Sequence, residues 1–128
     1  MMINQTKLET DEESLKRDFI SLMKKIDERK IEEVESGFHT DYTDSVSIKG
    51  SASVFSSNKT KYLESLKEGK IGGVERSVSI HSIDFLDSFG FVKADLESPV
   101  MKFRSIYTFY LDQGAWKIIK AVVVAEKK

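Results

Sequence analysis

The stretch FHTDYTDSVSIKG, Phe38 to Gly50, is where the chain changes its period. From Asp41 onward the residues alternate, with Tyr42, Asp44, Val46 and Ile48 on one side and Thr43, Ser45, Ser47 and Lys49 on the other. An alternation of two over this length is the signature of a half-buried strand. Upstream of it the apolar residues recur every three or four positions instead, so a helical region gives way to sheet here. A histidine and two aspartates stand within the first seven residues of the stretch, which makes the same segment a candidate for chemistry.

Working back from Phe38, RKIEEVESGF places Ile31, Val34 and Phe38 at helical spacing, and Gly37 is positioned to end that short helix with a positive φ. Before it, Thr10 and Glu13 have the spacing of a capping box, in which each side chain satisfies a free backbone N–H of the first turn. Leu15, Phe19, Leu22 and Ile26 then form a core-facing stripe, widened by Ile20 and Met23. Working forward, SIKGSASVFSSNKT reads as a Ser/Gly-rich loop, and Asn58 caps a third helix that buries Tyr62, Leu63 and Leu66 and ends at Gly69 and the Gly72-Gly73 pair.

After Gly73 nearly everything reads as strand. Val78 and Ile80 share one phase and Ile83 and Phe85 the other, so the alternation slips near His81 and Ser82, as a β-bulge requires. LDSFG and LDQGAW read as turns between strands, Pro99 closes the strand that ends near Glu97, and Trp116 to Ala125 is the last strand. Helices first and antiparallel sheet afterwards define an α+β domain with the helices packed on one face of a curved sheet.

The 128 residues fit one domain, read as residues 12–128 behind a flexible segment at residues 1–11. Twenty Lys and Arg are balanced by 21 Asp and Glu and spread along the chain, which argues against a nucleic-acid partner, since that needs basic residues gathered on one face. With no cysteine there is neither a disulfide nor a thiolate nucleophile. No apolar run is long enough to cross a bilayer and the first residues have no signal-peptide core, so no membrane partner is expected and the default location is the cytoplasm. The two histidines are far apart and no helix carries a ligand pair, so no metal is expected, and no cofactor is implied.

The order of these features resembles the NTF2-like superfamily: a helical hairpin, then F-H-x-D (Phe38, His39, Asp41) ahead of a strand, the helix at NKTKYLESL, and a final hairpin with Gly114, Trp116, Lys117 and Ile118. Within that superfamily it is most similar to the small bacterial lumazine-binding type, neighbours of the SnoaL-like group. The resemblance runs from about Glu12 to Val124. It implies a cone-shaped barrel in which a curved sheet and the first helix enclose an apolar pocket, often in a dimer formed through the sheets. Isomerases, dehydratases and cyclases share that superfamily, so the likeness carries fold and not reaction.

Asp44 is the acid of most interest, because it stands in the apolar row of its strand. Desolvation there would raise its pKa and suit it to act as a general base; alternatively it is solvated at the rim or bonded to backbone. In the isomerases and cyclases of the superfamily an acid in this strand region transfers protons, and the resemblance makes Asp44 the counterpart. The aromatic hydroxyl those sites use on the first helix is missing here, where Phe19 and Met23 stand instead. Tyr42, Tyr62, Tyr107 or His39 would have to take its place. His39 and Asp41 can bond to one another, either to orient an imidazole for base catalysis or simply to fold a helix-to-strand junction. Arg104 is either a pocket cation or half of a cross-strand ion pair.

Three functions follow. The first is a small-molecule-binding protein whose apolar pocket is lined by Phe19, Met23, Tyr42, Tyr62 and Trp116. The second is a lyase or isomerase that moves a proton on a small apolar carbonyl compound, with Asp44 as base. The third is a non-catalytic interaction module whose cone is filled by its own side chains. In AVVVA, Ala121 to Ala125, both phases are apolar; one face serves the core and the other needs a partner, and a homodimer through the sheet supplies it.

Overall fold

A computed structural model describes residues 10–128 of the chain. The expected flexible segment lies outside the described residues as far as residue 9, while Thr10 and Asp11 are the N-cap and first residue of helix α1, Asp11–Asp27. Both halves of the capping box form: Thr10 accepts from the Glu13 backbone, and Glu13 accepts from the Thr10 backbone. Leu15, Phe19, Leu22, Met23 and Ile26 make the buried face of α1. Ile20 is 41% exposed, because it lies one position too far round the helix to reach the sheet.

Helix α2, Ile31–Ser36, leads into strand β1, Phe38–Ile48, which starts three residues earlier than its alternation reveals. Gly37 between them has φ −87°, not the positive value expected of it. Space is the reason for glycine here: a Cβ would sit 2.8 Å from Leu22 Cδ1. Strand β2, Val54–Asn58, occupies the end of the segment read as loop; its Ser-rich sequence conceals a short edge strand antiparallel to β1. Helix α3, Lys59–Lys67, follows directly, capped by the Asn58 side chain.

Strands β3 (Ser77–Leu86), β4 (Phe89–Glu97), β5 (Met101–Asp112) and β6 (Ala115–Lys127) form an antiparallel meander. Its first pair slips between Ile80 and Ser82, where the alternation slips in sequence. The β5–β6 turn places Gln113 and Gly114 at positive φ, the pattern of a two-residue hairpin that follows the twist of its strands. The sheet order is β2-β1-β6-β5-β4-β3, and β1 pairs with β6 in parallel. The sheet is otherwise antiparallel, as expected; β1 and β6 are joined by the rest of the domain, so no hairpin constrains their direction.

The helices lie on the inner face of the curved sheet. Phe19 from α1 sits against Tyr107 and Phe109 of β5 with ring centroids 5.3 and 6.0 Å apart. At one end of this core, Trp116 donates from Nε1 to Ser14 Oγ at 2.9 Å and stacks at a tilt on Phe85. At the other end helices and sheet diverge, and a cavity opens.

Candidate functional site

The cavity has a volume of about 530 Å³, within the range usual for small-molecule sites. Four consecutive inward positions of β1, Tyr42, Asp44, Val46 and Ile48, form one wall, so the alternation that marks the strand also builds the site. Ala121, Val123 and Ala125 of β6 form the floor, and Met23 and Ile26 of α1 close the top. Ile48, Val74 and Val100 are partly exposed around the mouth.

Asp44 is 8% exposed, which settles its position in favour of the inner row. Tyr42, two residues before it on the same pleat, donates its hydroxyl to Asp44 Oδ2 at 2.6 Å. Ser57, directly opposite on β2, donates from its backbone N–H to Oδ1 at 3.0 Å and from its hydroxyl to Oδ2 at 2.7 Å. Ser57 has no signal in the sequence, because the strand carrying it reads as loop. Burial, helped by the bond to Asp44, pushes the Tyr42 phenol far above its ordinary pKa. Burial likewise raises Tyr62 and Tyr107, so all three cavity phenols are neutral hydrogen-bond donors. Tyr42, Tyr62 and Phe38 form an aromatic cluster with centroids 4.5 to 5.8 Å apart.

Arg76, just ahead of β3, is a part-buried cation in the cavity wall. Its Nε donates to Asp27 Oδ1 at 2.6 Å, and its backbone N–H donates to Oδ2 at 3.0 Å. The guanidinium lies 5.5 Å from the Phe103 ring centroid and 3.9 Å from Met23 Sδ. Nothing in the spacing links Asp27 to Arg76 across 49 positions. One clue does exist: Asp27 is the final residue of α1, where the helix dipole favours cations over acids. Arg104, the cation singled out from the sequence, faces away from this cavity, in the outward phase of β5 with Ile106.

The loop from Gly69 to Val74 forms the remaining wall and is tied to the end of α1. Arg29, itself at φ 53°, donates to the carbonyls of Gly69, Ile71 and Gly72. Gly73 has φ 81° and its absent Cβ leaves room for the Arg29 guanidinium, which would stand 2.5 Å away. Its N–H donates to the Asp27 carbonyl at 2.8 Å.

Of the residues proposed from sequence to line a pocket, Met23, Tyr42 and Tyr62 do line the cavity. Phe19 and Trp116 do not: Phe19 is fully buried by Tyr107 and Phe109, and Trp116 belongs to the packed end of the core. His39 is not brought to Asp44. Between Phe38 and Thr43 the β1–β6 ladder slips, and in this bulge His39 Nδ1 accepts the Asp41 N–H at 3.0 Å while the ring sits edge-on to Tyr110. The pair folds the junction. Among the described residues no group of three or more histidines and acids is placed to hold a metal, and no helix is long and apolar enough to cross a membrane.

Helices over a curved six-stranded sheet, with a cavity between them, are the NTF2-like fold. The chain belongs to the family described as "Putative lumazine-binding", whose model matches residues 10–123. No curated protein matches it. Among solved structures it is similar to an NTF2-like protein from Cytophaga hutchinsonii, at 17% identity and a TM-score of 0.75, covering 91% of this chain and 99% of that one. An NTF2-like protein of unknown function from Silicibacter pomeroyi is similar at 12% identity and a TM-score of 0.72, covering 90% and 93%. A ketosteroid isomerase-like protein from Erwinia carotovora atroseptica is similar at 12% identity and a TM-score of 0.66, covering 89% and 93%. At such identities the likeness establishes the fold alone.

Proposed function

We propose that the protein binds a small, mainly apolar molecule in the cavity between α1, β1 and β6. The observation that carries this reading is the cavity itself: about 530 Å³ with mainly apolar walls, and a few polar groups on Tyr42, Asp44, Tyr62, Arg76 and Tyr107. Such a combination supplies burial for affinity and a few fixed directions for orientation. It also speaks against a cone filled by its own side chains. The test is thermal unfolding across a metabolite panel. A ligand present at a hundred times its Kd adds about 2.7 kcal/mol to stability, and Ala121→Trp, which fills the floor, abolishes that gain. A panel that never shifts the wild-type Tm more than the Ala121→Trp variant would count against the reading.

A second reading is supported by the pairing of Asp44 with Tyr42. A carboxylate held in the wall of an apolar cavity that the neutral phenol of Tyr62 also lines has the parts for moving a proton on a carbonyl compound: Asp44 takes it from carbon, and Tyr62 donates a hydrogen bond to the developing enolate. Deuterium exchange into the carbon next to the carbonyl of a bound ketone, lost in Asp44→Asn, would support it. Binding without exchange would leave the protein a carrier.

Two copies pair, on this proposal, through the outer face of the sheet. There Val122 of β6 is 56% exposed and lies directly beside Ile106 of β5, 47% exposed. Val124 continues the apolar patch.

A further inference from the structure

Arg76 is a cation only partly used. A guanidinium has five N–H donors, and of these the Nε donor meets Asp27 while an Nη2 donor meets only the weakly accepting sulfur of Met23. Asp27 does not form the usual fork on its partner, because its second oxygen is taken by the backbone N–H of Arg76. The Nη groups are thus left without an oxygen acceptor among the described residues, on a side chain only 16% exposed that lines an apolar cavity. Part-buried donors of this strength, facing apolar walls, favour an oxygen acceptor in a bound molecule.

The other buried charge of the cavity is already committed and far away. Both oxygens of Asp44 are engaged by Tyr42 and Ser57. Asp44 pairs with Ala121 across one edge of β6, whereas Phe103, under the Arg76 guanidinium, pairs with Ala125 across the other. Two strand spacings and four residues along the strand separate Asp44 from Phe103 by on the order of 15 Å. The cavity therefore has unused guanidinium donors at one end, on an Arg76 whose charge is balanced by Asp27, and the engaged carboxylate of Asp44 at the other, joined by an apolar floor.

We infer that the ligand is an apolar monocarboxylate whose head sits on the Nη edge of Arg76 while its body lies along Ala121, Val123 and Ala125. This inference rests on the cavity being a ligand site. A planar, two-oxygen head matches the two Nη groups of a guanidinium. A single charge suits a site whose one part-buried guanidinium is already shared with Asp27; a phosphate would call for more donors than this wall presents. Lys70, 71% exposed at the mouth, is paired with Glu68 at 3.0 Å and contributes little to the bound state.

The test uses three acids of different shape, benzoate, 2-naphthoate and decanoate, each against its own neutral amide, with affinity measured calorimetrically. At least one acid is expected to bind more than about tenfold tighter than its amide, the least a charge-assisted hydrogen bond contributes. Arg76→Gln alone strands the Asp27 carboxylate and risks the fold, so the informative variant is Asp27→Asn with Arg76→Gln, which keeps a neutral hydrogen-bonded pair. In that variant the acid is expected to lose its advantage while the amide binds as before. Amides that bind as tightly as their acids overturn the carboxylate inference and leave the ligand site intact. An acid preference that survives in the double variant overturns the role of Arg76. If no acid and no amide binds, the carboxylate inference is overturned, while the pocket reading is decided separately by the metabolite panel.

Discussion

Tyr42 and Asp44 are hydrogen-bonded at 2.6 Å along a single strand, a consequence of the pleat that points residues two apart in the same direction. Tyr42→Phe removes one of three donors from a buried carboxylate, and the expected loss of stability is about 1.5–3 kcal/mol. Urea denaturation measures it directly. Ser57→Ala, which removes a second donor to the same oxygen, should cost more in Tyr42→Phe than in the wild type if the two hydroxyls compete for it; a double-mutant cycle reads this coupling.

Tyr42, Tyr62 and Tyr107 retain their protons above the ordinary tyrosine pKa of 10.0, chiefly because they are buried. Unfolding exposes these phenols, and they ionise at their ordinary value. The stability they confer is therefore complete below about pH 10 and falls as the pH rises further, because the unfolded chain then holds fewer protons than the folded one. Denaturation midpoints and phenolate absorbance followed together from about pH 8 to about pH 11 test this. Phenolate signal from all three residues before any loss of fold would contradict it.

Arg76→Ala leaves Asp27 buried without its cation, and a stability loss of about 3–5 kcal/mol is expected. Combining it with Asp27→Asn should recover much of that loss, since the stranded charge is the main source of the penalty. Equal losses in the single and double variants would show that packing against Phe103 and Met23 dominates instead.

How far these features are legible beforehand depends on the type of spacing that carries them. The stripe of α1 and the row Tyr42, Asp44, Val46, Ile48 follow local periods, and both are found where the alternation places them. The slip at His81 is equally local. Ser57 is hidden because β2 is a short edge strand rich in serine, and edge strands need no apolar alternation. Arg76 is hidden because its partner is on another element. The place of Trp116 at the packed end is hidden for a related reason: apolar alternation says that a side chain faces inward, but not whether that part of the interior is packed or hollow.

Val122→Asp tests the proposed dimer. Val122 and Ile106 form a cross-strand pair on the outer face, so a charge there leaves the core untouched. Light scattering should give a dimer for the wild type and a monomer for the variant, with stability unchanged to within about 0.5 kcal/mol once monomers are compared. A monomeric wild type at micromolar concentration removes the proposal.

Arg29→Ala releases the loop that forms one wall of the cavity, since three carbonyls lose their donor. These bonds are exposed, and a global loss of only about 1 kcal/mol is expected. The sharper readout is local: the Gly73 amide, bonded to the Asp27 carbonyl, should exchange its hydrogen faster while amides of β5 and β6 are unaffected. Uniform acceleration throughout the domain would mean that Arg29 supports the whole fold.

The parallel pairing of β1 with β6 also has a temporal side. During synthesis β1 and β2 emerge early, yet β1 has no strand neighbour other than β2 until the last strand of the sheet has left the ribosome. The wall bearing Asp44 and the floor bearing Ala121 meet only then. The β3–β6 meander can assemble strand by strand through local hairpins, but the cavity is the product of the longest-range strand pairing in the sheet. A nascent chain arrested before β6 would hold most of the sheet's sequence and no site at all.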